Sequence, residues 1–145
     1  MDRGIRITRI WSDQDMVELA IDVADGVSRF VNRVYVGYDH LAETIARLDQ
    51  FKTHVHGGIL DVEFGGFGSE YANGAFHARF HFAKPGRLFI SCRQESDFGE
   101  FGSKKVASCA TMYLVSEPVL LDRFIAELRR VSVDAESEAH LEAVT

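Results

Sequence analysis

The stretch Ala75–Gln94, AFHARFHFAKPGRLFISCRQ, constrains this chain more than any other. Side chains of a strand alternate between its two faces, and the alternation here is strict. Phe76, Ala78, Phe80 and Phe82 point one way, while His77, Arg79 and His81 point the other. Lys84-Pro85-Gly86 supplies turn chemistry: proline presets φ and glycine accepts a positive one. A three-residue loop over Lys84–Gly86 would pair Phe82 with Leu88, Phe80 with Ile90 and Ala78 with Cys92. That register collects every apolar side chain on one face, and a slip by one residue would turn the second strand inside out. The opposite face then carries His77, Arg79, His81, Phe89, Ser91 and Arg93. A hairpin with one oily and one wet face needs further elements to cover the oily side.

The rest of the chain has the material to do so. Its 145 residues suit one domain, and 46% hydrophobic residues with 11 Phe are ample for a core. A net charge of −6 disfavours a dedicated nucleic-acid binder. No run approaches the ~18 apolar residues of a membrane span, and the first residues lack the apolar core of a signal peptide. Cys92 and Cys109 fall in predicted strands and read as reduced thiols of a cytoplasmic protein.

Before the hairpin, Gly4–Trp11, Met16–Ala24 and Ser28–Gly37 read as strands, with Asp25-Gly26 as the turn between the last two. Asp39 is the expected cap of a helix over His40–Phe51, whose stripe is Leu41, Ile45, Leu48 and Phe51. Ile59–Phe64 reads as a fourth strand, and Lys104–Val115 as a long last one. Pro118 opens a second helix, because its missing N–H costs nothing in a first turn. Leu121, Phe124, Ile125 and Leu128 form that helix's apolar face. The expected fold is α+β: one antiparallel sheet of about seven strands with two helices on one face, in the order βββ-α-ββββ-α. Residues 1–133 form the domain, and 134–145 read as an acidic tail that frays.

Two loops flank the hairpin, GGFGSEYANG (Gly65–Gly74) and ESDFGEFGS (Glu95–Ser103). Neither has the glycine order of a phosphate loop, and Lys104-Lys105 opens a strand rather than a helix. Exposed aromatics among acids suit a protein–protein contact, so the candidate partner-binding residues are Glu95, Asp97, Phe98, Glu100 and Phe101. The alternative is a small-molecule-binding protein or enzyme that uses the space between sheet and helices, with His77, Arg79, His81 and Arg93 of the hairpin's wet face as its polar groups. His77 and His81 lie roughly ~13 Å apart at ~3.3 Å per residue, so they cannot share one metal. His54 and His56 have no further ligand at metal-binding spacing. No nucleophile elbow is present, so no catalytic residue and no cofactor are expected.

The segments FVNRVYVGYDHLAETIARLDQF, GGFGSEYANGAFHARF and EPVLLDRFIAELRRV resemble small bacterial immunity proteins of polymorphic toxin systems, the WapI-like kind among them. The likeness runs from Phe30 to Val131. It lies in the sequence of strand, helix, glycine-aromatic loop, strand pair and proline-started helix. It implies a cytoplasmic, non-enzymatic protein that occludes a cognate toxin domain, a basic one given the acidity of this chain. It transfers no functional residue.

Overall fold

A computed structural model describes residues 2–71 and 73–145. The elements run β1 (Gly4–Ser12), β2 (Met16–Ala24), β3 (Arg29–Gly37), α1 (Tyr38–Phe51), β4 (Ile59–Phe64), β5 (Ala75–Lys84), β6 (Arg87–Glu95), β7 (Gly99–Phe101), β8 (Lys104–Val106), β9 (Cys109–Ser116), α2 (Pro118–Val131) and β10 (Glu138–Glu142). All pairings are antiparallel. The α+β class is as expected, but the single seven-stranded sheet is not. The strands form two sheets of four, β10-β1-β2-β3 and β4-β5-β6-β9, with β7-β8 as a separate small hairpin. Two short helices could not cover one wide sheet. Folded as two sheets, the apolar faces close on the same pair of helices.

The β5–β6 hairpin keeps the expected faces. Phe80 lies opposite Ile90 and Ala78 opposite Cys92. The turn, however, is Pro85-Gly86 alone, since Lys84 lies opposite Arg87, and a register shift between His81 and Lys84 restores the parity. Phe82 and Leu88 therefore still point inward, both fully buried. Gly86 has φ 76°, the left-handed conformation the turn was expected to demand. The long last strand is broken between β8 and β9.

Two other expectations are corrected. Helix α1 starts two residues earlier than an Asp39 cap implies: Gly37 is its cap, with no side-chain cap bond, and Asp39 lies in the first turn. Residues 134–145 do not fray as a tail; they supply β10, whose Ala139 and Leu141 face the core opposite Ile7 and Ile5. Alternation of small apolar residues with acids hid that strand. Cys109 is exposed, whereas Cys92 is buried and its burial pushes the thiol up to about 12.

The core is continuous through both sheets and both helices. Between them, Ile5, Leu48, Val62, Phe76, Phe124 and Leu128 are among the residues around a void of only about 10 Å³. An apolar void of that size holds neither water nor ligand. Neither helix is long and apolar enough to cross a membrane.

The chain also repeats itself, which its residue identities do not reveal. Helix α1 buries Leu41, Thr44, Ile45, Leu48 and Phe51, and α2 buries Leu121, Phe124, Ile125, Leu128 and Val131 at one constant offset. Strand β3 buries Asn32, Val34 and Val36, and β9 buries Met112, Leu114 and Ser116 at the same offset. Registers repeat too: Ile7↔Ile21 and Leu19↔Val34 in one sheet match Ala78↔Cys92 and Ile90↔Leu114 in the other. Each helix hands the chain to the other half's sheet. Helix α1 leads from β3 to β4 at the edge of the second sheet, and α2 leads from β9 to β10 at the edge of the first.

Candidate functional site

The two halves diverge most in the loops. The first half joins β2 to β3 through residues 25–28, where Asp25 accepts hydrogen bonds from the Val27 and Ser28 amides at 2.9 and 2.7 Å. The second half joins β6 to β9 through 96–108, long enough to form the β7–β8 hairpin. Its neck is tied by Ser96 and Ser108: the Ser96 amide donates to the Ser108 carbonyl, and the Ser108 amide to Ser96 Oγ, both at 2.9 Å. Beyond the neck nothing covers it. Every residue of β7 and β8 is exposed, and Phe101 is 74% exposed.

Loop 65–74 lies alongside. The Gly68 amide donates to Glu95 Oε1 at 2.8 Å, and the Arg93 guanidinium stacks 4.1 Å above the Phe67 ring. Gly74 threads between the sheets, where a Cβ would stand 2.7 Å from the carbonyl oxygens of both Arg33 and Glu95. Only glycine fits so tight a crossing. Asn32 closes the same junction, its Nδ2 donating to the Ala75 and Glu95 carbonyls at 3.0 and 3.1 Å. The two loops bound an open cleft of about 280 Å³ lined by Ser69, Glu70, Tyr71, Phe98, Glu100 and Lys105.

The expected partner-binding residues therefore lie together, but in unequal roles. Phe101 is a free apolar tip, and Phe98 is a half-buried wall of the cleft. Glu95 is spent on the Gly68 amide. Asp97 approaches Arg33 at 3.9 Å, and Glu100 stands opposite Lys105 in the β7–β8 ladder. The loop read as acidic is locally balanced, because its counter-charges come from β3 and β8. Tyr71, an exposed aromatic that the sequence of loop 65–74 already offers, and Lys105, which spacing along the chain did not connect to it, complete the cleft.

The alternative residues, His77, Arg79, His81 and Arg93, occupy the outer face of the second sheet, away from the helices. They cannot line a sheet–helix cavity, because that space is the filled core. Arg79 grips Asp61 with Nε and Nη2 at 3.0 and 3.2 Å, and His77 Nε2 lies 2.9 Å from the same carboxylate. The Arg79 guanidinium, then the His77 ring, holds the Asp61 carboxyl below the usual carboxylate range. Arg79, His81, Phe89, Ser91 and Tyr113 border a shallow groove, with Tyr113 74% exposed. Among the described residues no group of three or more His, Cys, Asp or Glu is placed to hold a metal ion. Comparison with protein-family models, with curated proteins and with solved structures finds no match for this chain.

Proposed function

We propose that this protein is a non-enzymatic protein-binding module of the toxin-immunity kind, and that it meets its partner through the cleft between loops 65–74 and 96–108. The observation that carries this reading is the insertion itself. It is the largest departure from the repeat, it contributes nothing to the core, and it carries both an exposed Phe101 and the Phe98 that shares the cleft with Tyr71. Large exposed aromatics in a cluster suit an interface anchor better than a solvated loop. Arg33 and Lys105 offset Asp97 and Glu100 locally, so the attraction to a basic partner rests more on the net charge of −6 than on this loop. A cytoplasmic location belongs to the same reading. The filled core leaves no sheet–helix cavity for a substrate, which weighs against a small-molecule function there.

The test is co-expression with the product of each neighbouring gene, followed by binding kinetics of any purified complex. Phe101→Ala and Phe98→Ala should raise the dissociation rate by about 10- to 100-fold, the range of anchor residues. Asp97→Lys and Glu100→Lys should change the association rate less than about threefold, since Arg33 already stands near Asp97 and Lys105 opposite Glu100. A complex whose dissociation is untouched by either Phe truncation places the interface elsewhere. No complex with any neighbouring product argues against the immunity reading.

A further inference from the structure

The outer face of the first sheet holds a row that the folding of the chain does not need. Trp11 on β1 lies opposite Glu18 on β2, and Glu18 opposite Tyr35 on β3. The Trp11 and Tyr35 rings, from the two strands that flank Glu18, meet edge to face, centroids 5.8 Å apart and planes at 89°. Trp11 is there because β1 bulges. The register runs from Arg9↔Leu19 to Trp11↔Glu18, so Ile10 is an extra residue. Arg9 faces inward, where its Nη1 donates to the Val131 carbonyl at the end of α2. Unbroken alternation would carry Trp11 inward as well. The bulge turns it out instead, and Ile10 and Trp11 end 46% and 45% exposed. In the other half, Phe82 occupies the matching position and is fully buried. A buried aromatic would stabilise the fold, so turning this one out forgoes burial.

Charge points the same way. Among the described residues Glu18 has no ion pair and no side-chain hydrogen bond, although it is half-buried and flanked in register by Trp11 and Tyr35. Asp13 and Asp15 lie in the adjoining β1–β2 turn. The nearest base on this face, Arg33, leans toward Asp97. An unpaired carboxylate beside two partly exposed aromatic rings is matched by a cation, which gains from the charge and from a ring face at once.

We infer that Trp11, Glu18 and Tyr35 receive an arginine side chain from a protein partner. A guanidinium is planar, stacks on aromatic faces and offers parallel N–H donors to a carboxylate, which a compact ammonium does not. The face is open, so a free small cation would find little else to touch. An arginine borne on a polypeptide could also lie against Ile10 and Met16, both exposed beside the row.

Trp11 is the sole tryptophan, so its fluorescence reports the site directly. The probe is an acetylated, amidated Gly-Arg-Gly tripeptide, with its Lys and citrulline counterparts and NaCl at matched ionic strength. The Arg peptide should change Trp11 emission saturably, the Lys peptide should bind more weakly, and citrulline and NaCl should do nothing. Glu18→Gln, isosteric and on an outer face, should weaken the Arg peptide about tenfold, the value of one charge-assisted contact. Tyr35→Ala should also weaken it, with thermal melts confirming that both variants fold. Equal responses to Arg and citrulline, a response reproduced by NaCl, a Lys peptide binding as well as Arg, or wild-type affinity in Glu18→Gln would each overturn the assignment. The titration requires no natural partner. Its failure would leave the loop cleft standing, and failure of the loop variants would leave this row standing.

Discussion

The two halves of the chain share a plan and differ in what fills it. Where β5 places Phe80 in the core, β1 places Arg9, 8% exposed, with its Nη groups on the Val131 carbonyl and the Tyr38 hydroxyl and its Nε without a partner. Where the second half has Met112 on β9 and the first has Val23 on β2, their counterparts are Asn32 and Gln94. These two form a buried amide pair: Gln94 Nε2 donates to Asn32 Oδ1 at 2.8 Å and reaches the Ile21 and Phe30 carbonyls. The difference teaches that a shared inside–outside pattern specifies topology, while individual sites within it are free to be apolar or polar. Polar sites survive where the sheets meet and where a helix ends, because backbone groups there need partners.

The strongest test of that comparison is Phe80→Ala, which should cost about 3–5 kcal/mol in denaturant melts as a buried Phe truncation. Leu48 and Leu128 then ask whether the halves are equal. Each is a buried helix residue at a matched position, so each change to Ala should cost about 2–5 kcal/mol, and the two should agree within about 1 kcal/mol. A large gap would show that one half dominates the stability.

Smaller effects separate pattern from filling. Asn32→Met or Gln94→Val alone, each borrowing the residue of the other half, should cost about 1–3 kcal/mol by stranding a buried amide. The double variant should cost less than the sum, since neither amide remains; strict additivity in a double-mutant cycle would show that the pair is not coupled. Replacing 96–108 by the short loop 25–28 should change stability by less than about 1 kcal/mol while abolishing the cleft. A steep loss on melting would mean that the insertion supports the core. The smallest effect belongs to Asp61. Its carboxyl is held low in the folded protein, so the stability it adds is present above its ordinary value of about 4 and is lost as pH falls through the folded value. Asp61→Asn should flatten the acid limb of a stability–pH curve slightly, because the pair is largely exposed.

Much of this fold was readable in the residues. Alternation exposed the β5–β6 hairpin and the apolar stripes of both helices, because those signals are local. The division into two sheets was not, because no local pattern says which strand a helix delivers the chain to. The repeat stayed hidden because it is conserved as burial rather than as identity: Ile5 answers to Phe76, and Thr44 to Phe124. Strand β10 was masked by its acids; pairing with β1, which buries Leu141 opposite Ile5 and Ala139 opposite Ile7, explains its order. At the candidate site, the exposed aromatics of ESDFGEFGS were legible. The neutralising Arg33 and Lys105 were not, since one comes from a distant strand. The row Trp11–Glu18–Tyr35 depends on two turns and a bulge together, which spacing along the chain does not reveal.

Strand β10 sets a timetable for the nascent chain. Thr8 on β1 and Glu138 on β10 are 130 residues apart, yet Thr8 Oγ1 donates to the Glu138 carboxylate in the finished sheet. At translation rates of about 5–20 residues per second, β1 waits on the order of ten seconds for its edge partner. All four strands of the second sheet precede α2, so its ladders can pair while the first still presents β1 as a raw edge; the end of β9 waits too, since Val115 accepts from the Val144 amide and Ser116 Oγ donates to the Glu142 carbonyl. A ribosome stalled before Glu138 would therefore hold a half-closed molecule, exposing an edge able to pair with another nascent chain.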